Sequence, residues 1–283
     1  MTKRRDIEEH VRALGEIEGI MGAMKSLALM ESRKLSRVLP AQLRVVADIE
    51  AAGREFLSFH PDMSIEYASH DLYLVIGAER GFCGEFNGRV LSALDRHLEA
   101  IKAKDPVLIV VGQKLLQRAE QRKRTVSFVE GPAIADEVPS VLIRVIDRLR
   151  EFAAGDHGGA RPSVTTVYHD AVANEIVIRP LRPFQQTHPL SNKQPIHPLL
   201  TLPPKVFFDQ LIDLYLFSHL HAIFYDALLA ESRARLAHLD SALQRLERNR
   251  AGLQRKRNVL RQEEITEEIE VLMLSNHVKS PQR

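Results

Sequence analysis

From Lys205 to about Ser275 the chain runs without a proline and with a single glycine, Gly252. No other feature constrains the fold as strongly, because proline and glycine are the residues that end helices. At a rise of 1.5 Å per residue the stretch would form a helix about 105 Å long. A globule of 283 residues has a radius of gyration of about 19 Å, so this helix is expected to protrude. Leu236, Leu239, Leu243, Leu246, Leu253 and Leu260 step by three, four and seven, the seam of a coiled coil. Arg250 and Arg257 interrupt that seam. Along the same stretch the charge changes sign: Arg245–Arg261 is crowded with arginine and lysine, and Glu263, Glu264, Glu267, Glu268 and Glu270 follow.

A helix of this kind needs a partner, and residues 2 to about 58 offer one. Apolar residues fall at Ile7, Val11, Leu14, Ile17, Met21, Met24 and Ala28, and after Glu31 at Leu35, Val38, Val45, Ile49 and Ala52, a helical period. Pro40 is expected to kink or break this helix near Leu39. Gly15, Gly19 and Gly22 each cost up to about 1 kcal/mol relative to alanine, a cost that something packed closely against them would offset. The economical arrangement is an antiparallel coiled coil of the two termini, with the longer helix overhanging.

Residues 68 to about 195 change period. DLYLVIGAE, PVLIVVG, TVSFVEG, SVTTVYHDA and NEIVIRPL are short β-branched runs, and read as strands. FNGRVLSALDRHLEAIKA, QKLLQRAEQR and SVLIRVIDRLREFAA read as helices between the earlier ones. Alternation of strand and helix followed by two neighbouring strands predicts an α/β, Rossmann-like domain with a largely parallel sheet and an antiparallel edge. Six prolines between Pro183 and Pro204 mark a connector. The expected organisation is an N-terminal coiled-coil helix over 1–60, a central α/β domain over 68–195, and a linker with the C-terminal coiled-coil helix over 196–283.

Several functions lack their residues. Net charge is +2, which gives no global case for nucleic acid. The basic run has arginines in the seam and no interleaved aromatics for stacking on bases, so a helix face turned to an acidic partner protein fits better than DNA or RNA. The start, MTKRRDIEEH, lacks the apolar core of a secretory signal. The longest apolar runs fall short of the roughly 20 residues of a membrane helix, so a peripheral protein without direct membrane insertion is expected. The single cysteine, Cys83, has no partner for a disulfide or thiolate cage and suits a reducing compartment. His10, His60, His70, His97, His219 and His221 show no metal-ligand spacing, and no GxSxG or paired-carboxylate arrangement is visible. No cofactor, metal or catalytic residue is assigned, and the chain does not read as an enzyme by itself. IGAERGFCGEFN, Ile76–Asn87, is a glycine-rich turn between strand and helix, where phosphate loops sit. It has neither the P-loop nor the dinucleotide spacing. A tight structural turn with Cys83 tucked into packing is the stronger reading, and nucleotide binding the weaker.

Three stretches together resemble the gamma subunit family of F-type ATP synthases. GIMGAMKSLALMESRKL resembles the family's N-terminal motif at Ile20, Ala23, Met24 and Lys34. ERGFCGEFN resembles its central turn at Arg80, Gly81, Cys83, Gly84 and Asn87. RNVLRQEEITEEI resembles its C-terminal signature at Asn258, Arg261, Gln262, Ile265, Thr266, Glu268 and Ile269. The resemblance implies an antiparallel coiled coil on an α/β base, acting as a rotary shaft. It implies partners: the alpha and beta subunits of a hexamer around the shaft, and epsilon with a membrane ring of c subunits at the base. Arg261 and Gln262 would then hydrogen-bond to a loop of a beta subunit, Met24 and Lys25 would face a beta subunit's moving lever, and Val271–Leu274, with Leu272, would sit in an apolar bearing. Ile265 and Glu268 lie on the same signature. The implied location is peripheral, on the cytoplasmic face of a bacterial membrane. There are departures: Glu85 stands where the family has a second glycine, and Val259 and Leu260 where a basic residue is common. They point to a divergent paralogue of the kind found in alternative, sodium-type ATPase operons.

Overall fold

The computed structural model describes residues 3–63, 67–103, 106–121, 126–153, 161–184 and 199–278. In chain order the elements are α1 (Lys3–Phe59), β1 (Tyr67–Ile76), α2 (Phe86–Ala100), β2 (Val107–Val111), α3 (Gln113–Glu120), β3 (Val126–Val129), α4 (Val138–Ala153), β4 (Arg161–Asp170), β5 (Glu175–Pro180) and α5 (Pro204–Val278). A short 3-10 turn, Ala135–Glu137, precedes α4. The strands run in the order β3-β2-β1-β4-β5. All pairs are parallel except β4 with β5, which is the antiparallel edge the period-two runs predict. Most of the proline-rich connector, 185–198, lies outside the described residues.

The chain divides into two compact units, Ala28–Leu236 and Met1–Leu27 with Ala237–Arg283. In the larger one the sheet is covered on both faces. Tyr73, Val75, Leu108, Val110 and Val167 pack with Val90, Leu91 and Leu94 of α2 and Leu115 of α3. The opposite side chains, Leu72, Leu74, Ile109 and Val111, pack with Val141, Leu142 and Val145 of α4, Leu220 and Phe224 of α5, and Leu35 and Leu39 of α1. Alternation along each strand therefore feeds two cores, as expected of a doubly wound sheet. A third cluster joins Val46, Ile49 and Phe56 of α1 to Phe208, Ile212 and Tyr215 of α5 around Phe184.

Several sequence expectations require correction here. The helix does not break at Pro40: α1 continues through it. Leu35 and Leu39 are buried just before it, at 0% and 3% exposure, and their packing offsets a cost of about 3 kcal/mol. Ser36, whose carbonyl loses its partner, lies on the exposed side with Pro40, where water can serve it. Part of the expected stripe holds, with Leu35 and Ile49 buried, and the rest sits one residue over. Leu39, Val46, Gly53 and Phe56 face inward, whereas Val38, Val45 and Ala52 are exposed; both sets have helical spacing, and packing with the sheet, α5 and Phe184 selects the inward one.

Polar ties hold α1 and α5 to the domain. Lys34 reaches Asp136 at 2.7 Å, and the Ala135 N–H donates to Glu31 at 3.1 Å. The Ala171 N–H in the β4–β5 turn donates to Asp226 at 3.1 Å, and Arg233 donates to the Ala171 carbonyl at 2.6 Å. Two histidines, His169 buried and His219 half-buried, also serve structure. His219 Nδ1 lies 2.8 Å from the Tyr215 hydroxyl, which donates to Glu50 at 3.3 Å. His169 stacks on Phe86 with centroids 5.2 Å apart.

Two predictions follow from this packing. A methyl group at Gly53 would stand 2.2 Å from the Phe184 ring, so Gly53→Ala should destabilise by about 1–3 kcal/mol despite alanine's better helix propensity; a denaturation midpoint at or above wild type would contradict this packing. Burial pushes the Asp226 carboxyl up to about 6. The folded protein thus holds this proton more tightly than the unfolded chain, and the associated stability is present below about pH 4 and lost as pH rises through about 6. Asp226→Asn keeps an acceptor for Ala171. It should match wild type near pH 4 and exceed it by about 1 kcal/mol near pH 8, allowing for partial solvent screening, as measured by urea unfolding at both pH values.

Candidate partner interface

The smaller unit is a pair of helical segments. As the α1 partner moves from Lys25 to Glu18 to Arg4, its α5 partner moves from Asp240 to Arg250 to Glu264, so the helices are antiparallel. Ile7, Val11, Leu14 and Met21 turn inward from α1, and Leu239, Leu243, Leu246, Leu253 and Leu260 from α5. Only Met21 and Leu239 are fully buried, as befits a two-helix seam. Ile17, expected in the stripe, is 44% exposed; Glu18 takes the inward position because it pairs with Arg250. That pairing also explains the arginine in the leucine seam. Arg257, the second interruption, folds back onto Asn258 Oδ1 at 3.1 Å.

The glycines behave differently from expectation. A Cβ at Gly19 or Gly22 would meet nothing within 4 Å, and one at Gly15 would meet only Arg250 at 3.7 Å. Among the described residues nothing packs closely on them. They floor an open groove of about 580 Å³, walled by Glu18, Lys25, Asp240, Gln244, Glu247 and Arg250.

The residues singled out by the sequence fall into two patches. Arg261, Gln262, Ile265, Glu268 and Leu272 are all exposed on α5, and 261, 265, 268 and 272 share one helical face by their spacing. Ile265, Leu272 and Met273 are 45%, 62% and 69% exposed, so the face mixes charge with uncovered apolar surface. Met24 and Lys25 lie on α1 and are half-buried. Lys25 is paired within the chain to Asp240, which lies about 30 Å along α5 from Arg261 at helical rise. The two patches are therefore separate contact points on one rod.

The glycine-rich turn is a packed structural element. The Ala78 N–H donates to Asn87 Oδ1 at 2.8 Å. Glu79 accepts the N–H of Gln113, the first residue of α3, at 2.9 Å and that of Gly131 at 2.8 Å, so a carboxylate of the chain already caps that helix. Cys83 is buried, and burial pushes its thiol up to about 12. Glu231 and Arg235 of α5 pair beneath the turn, and Arg235 donates to the Gly81 carbonyl at 3.2 Å. Sequence reasoning missed Glu79, Glu231 and Arg235; the available signal was a Glu-to-Arg step of four residues inside a run of small apolar residues, ALLAESRARLA. Glu85 makes a bidentate pair with Arg118 of α3, at 3.0 and 3.1 Å. Gly88 leaves room for it, since a Cβ there would lie 2.7 Å from Glu85 Oε2 and 2.8 Å from Arg118 Nη1.

A mostly apolar cavity of about 420 Å³, lined by Ile146, Leu149, Val164, Leu216 and Leu220 among others, carries Arg150 and Asp213, two charges of opposite sign that select no class of ion. Among the described residues no cluster of His, Cys, Asp or Glu could hold a metal, and no helix is long and apolar enough to cross a membrane.

This architecture has relatives. Residues 3–273 match a family described as ATP synthase. The ATP synthase gamma chain of Mycolicibacterium smegmatis is 26% identical over 94% of this chain and 94% of the relative; that of Ruminococcus albus is 25% identical over 95% and 96%. Among solved structures, a rotor chain of the Euglena gracilis mitochondrial ATP synthase shares the fold with a TM-score of 0.54 at 17% identity, covering 93% of this chain and 98% of that one. A chain of the same organism's OSCP/F1/c-ring assembly gives 0.59 at 18%, covering 99% and 97%. With the match running through both long helices and the sheet between them, the chain belongs to the ATP synthase gamma family.

Proposed function

We propose that the chain is the central rotary stalk of an F-type ATP synthase or ATPase, coupling ion-driven rotation of a c ring to conformational change at catalytic beta subunits. The antiparallel α1–α5 pair with its uneven surface carries this reading. A rod that must force its surroundings through different states needs sides that differ, and α5 supplies them. Arg245–Arg261 is strongly basic, the following residues are acidic, and Ile265, Ile269, Val271, Leu272 and Met273 are uncovered apolar side chains. An exposed apolar end on a helix otherwise rich in charge points to a protein partner.

On this reading the rod stands within a hexamer of alpha and beta subunits. Arg261 and Gln262 hydrogen-bond a beta subunit, with Ile265 and Glu268 on the same contact face, and Leu272 belongs to a low-friction apolar bearing. Met24 and Lys25 meet a beta subunit's moving lever, with Lys25 held in place by Asp240. The α/β unit rests on the c ring with epsilon. The chain transmits force and performs no chemistry itself, and it works as a peripheral protein on the cytoplasmic face of a bacterial membrane.

Arg261 is exposed, so Arg261→Glu should change the stability of the isolated chain by less than about 0.5 kcal/mol. In the assembled complex the same reversal should lower ATP-driven ion pumping by at least about fivefold, the scale of a lost charged interface contact. Unchanged pumping in the variant complex would contradict the assignment.

A further inference from the structure

The apolar cavity beside α4 and α5 has no part in the stalk reading, and its lining defines what it can hold. Ile212, Leu216 and Leu220 follow one another on α5 at steps of four, and Ile146 and Leu149 stand on α4 at a step of three, so each helix turns one stripe to the cavity. Val164 of β4 and Leu181, just past β5, add to the apolar lining. Protein interiors hold few voids larger than a water molecule. A water needs about two to four polar partners to be held, and these aliphatic side chains supply none. An apolar cavity of about 150 Å³ stays dry and takes up benzene, and this one, at about 420 Å³, is nearly three times larger. Its two charges, Arg150 of α4 and Asp213 of α5, are exposed, as is Phe217 at 37%, so the cavity opens to solvent where they stand. Arg150 has Asp147 of its own helix at 3.9 Å, too far for a hydrogen bond. A carboxylate head at this opening would be repelled by Asp213, and an ammonium head by Arg150. A hydroxyl accepts from a guanidinium and donates to a carboxylate, so it suits both.

We propose that this cavity is a binding site for one neutral amphiphile, a molecule with a compact hydrocarbon body and a hydroxyl head, the body lying against the α4 and α5 stripes and the head at Arg150 and Asp213. Burial of the hydrocarbon supplies the driving force, and the paired opposite charges supply the selection against ionised heads. Because the guest touches α4 and α5 at once, filling the cavity fastens the two helices to each other and stabilises the folded domain by mass action. Every residue of the site lies within Ala28–Leu236, and the site does not depend on the reading of the chain as a rotor.

The test titrates the full isolated chain, with labelled isoleucine and leucine methyl groups, with octanol, octanoate and octylammonium. These guests share a hydrocarbon chain and differ in the charge of the head. Octanol should give saturable shifts at the methyl groups of Ile146, Leu216 and Leu220, and a melting temperature that rises with its concentration. Octanoate and octylammonium should bind at least about fivefold more weakly, the cost of desolvating a charge beside an apolar wall. Leu149→Phe and Leu216→Phe each put a ring into the cavity from one of its two helices. Either folded variant should bind octanol at least about tenfold more weakly, as expected when about two or three methylene groups lose their burial. Shifts that never saturate, saturable shifts only elsewhere in the chain, equal or tighter binding of either charged guest, or wild-type affinity in a folded variant would each overturn the proposal. Should neither variant fold, the wild-type titration decides by itself. None of these readouts involves the assembled complex, so a failure here is separate from a failure of the stalk assignment.

Discussion

The burial pattern of α5 is the constraint on which the rest depends. From Ser218 to Ser232 no side chain of this helix is exposed, while among the described residues beyond Leu236 only Leu239 is fully buried and the leucines of the seam are half-covered. A helix apolar on all sides must be enclosed, and one with a single apolar stripe can bury only that stripe. One uninterrupted helix of 75 residues therefore does two jobs set by composition alone. Its first part is core, packed with the sheet and α4. Its second part is half of a two-helix rod, with the remaining faces left for something else.

That division explains where the charges go. Inside the domain the charges of α5 from Asp226 to Arg235 have dedicated partners: Asp226 with Ala171, Arg233 with the same residue's carbonyl, and Glu231 with Arg235, which also donates to the Gly81 carbonyl. Removing one partner of such a buried set leaves the other uncompensated, which is why these groups specify position more than they add stability. In the rod the cross-helix pairs Lys25–Asp240, Glu18–Arg250 and Arg4–Glu264 are partly solvated, and exposed pairs contribute about 0–1 kcal/mol each. Their role is register. A leucine seam alone slides by a heptad at little cost, and an in-seam Glu18–Arg250 pair fixes one alignment.

Much of this was legible in the sequence. The five strands, the helices between them and the antiparallel edge follow from apolar period and turn residues, and the uninterrupted C-terminal helix follows from the absence of proline. Helix face assignment was less accessible. Ile17, Val38 and Val45 satisfy the same spacing as the residues that are buried, and only packing against Phe184, Arg250 and the sheet selects between the two sets. Pro40 misled because propensity is local while Leu35 and Leu39 are held by distant residues. The carboxylate of Glu79 was hidden for a similar reason, since its partners lie 34 and 52 residues away in sequence. The contact face Arg261, Ile265, Glu268 and Leu272 is visible as a helical stripe, but nothing within one chain reveals what covers it.

The central claim is that this rod serves as the stalk of a rotary ATPase, and its most direct test is to capture the tagged chain from native membranes, identify its companions by mass spectrometry and assay the captured material for ATP hydrolysis. The account predicts alpha and beta subunits in equal amounts, both in excess over the tagged chain, with ATPase activity. Recovery of the chain alone, or as a pair of identical chains without ATPase subunits or activity, would contradict it.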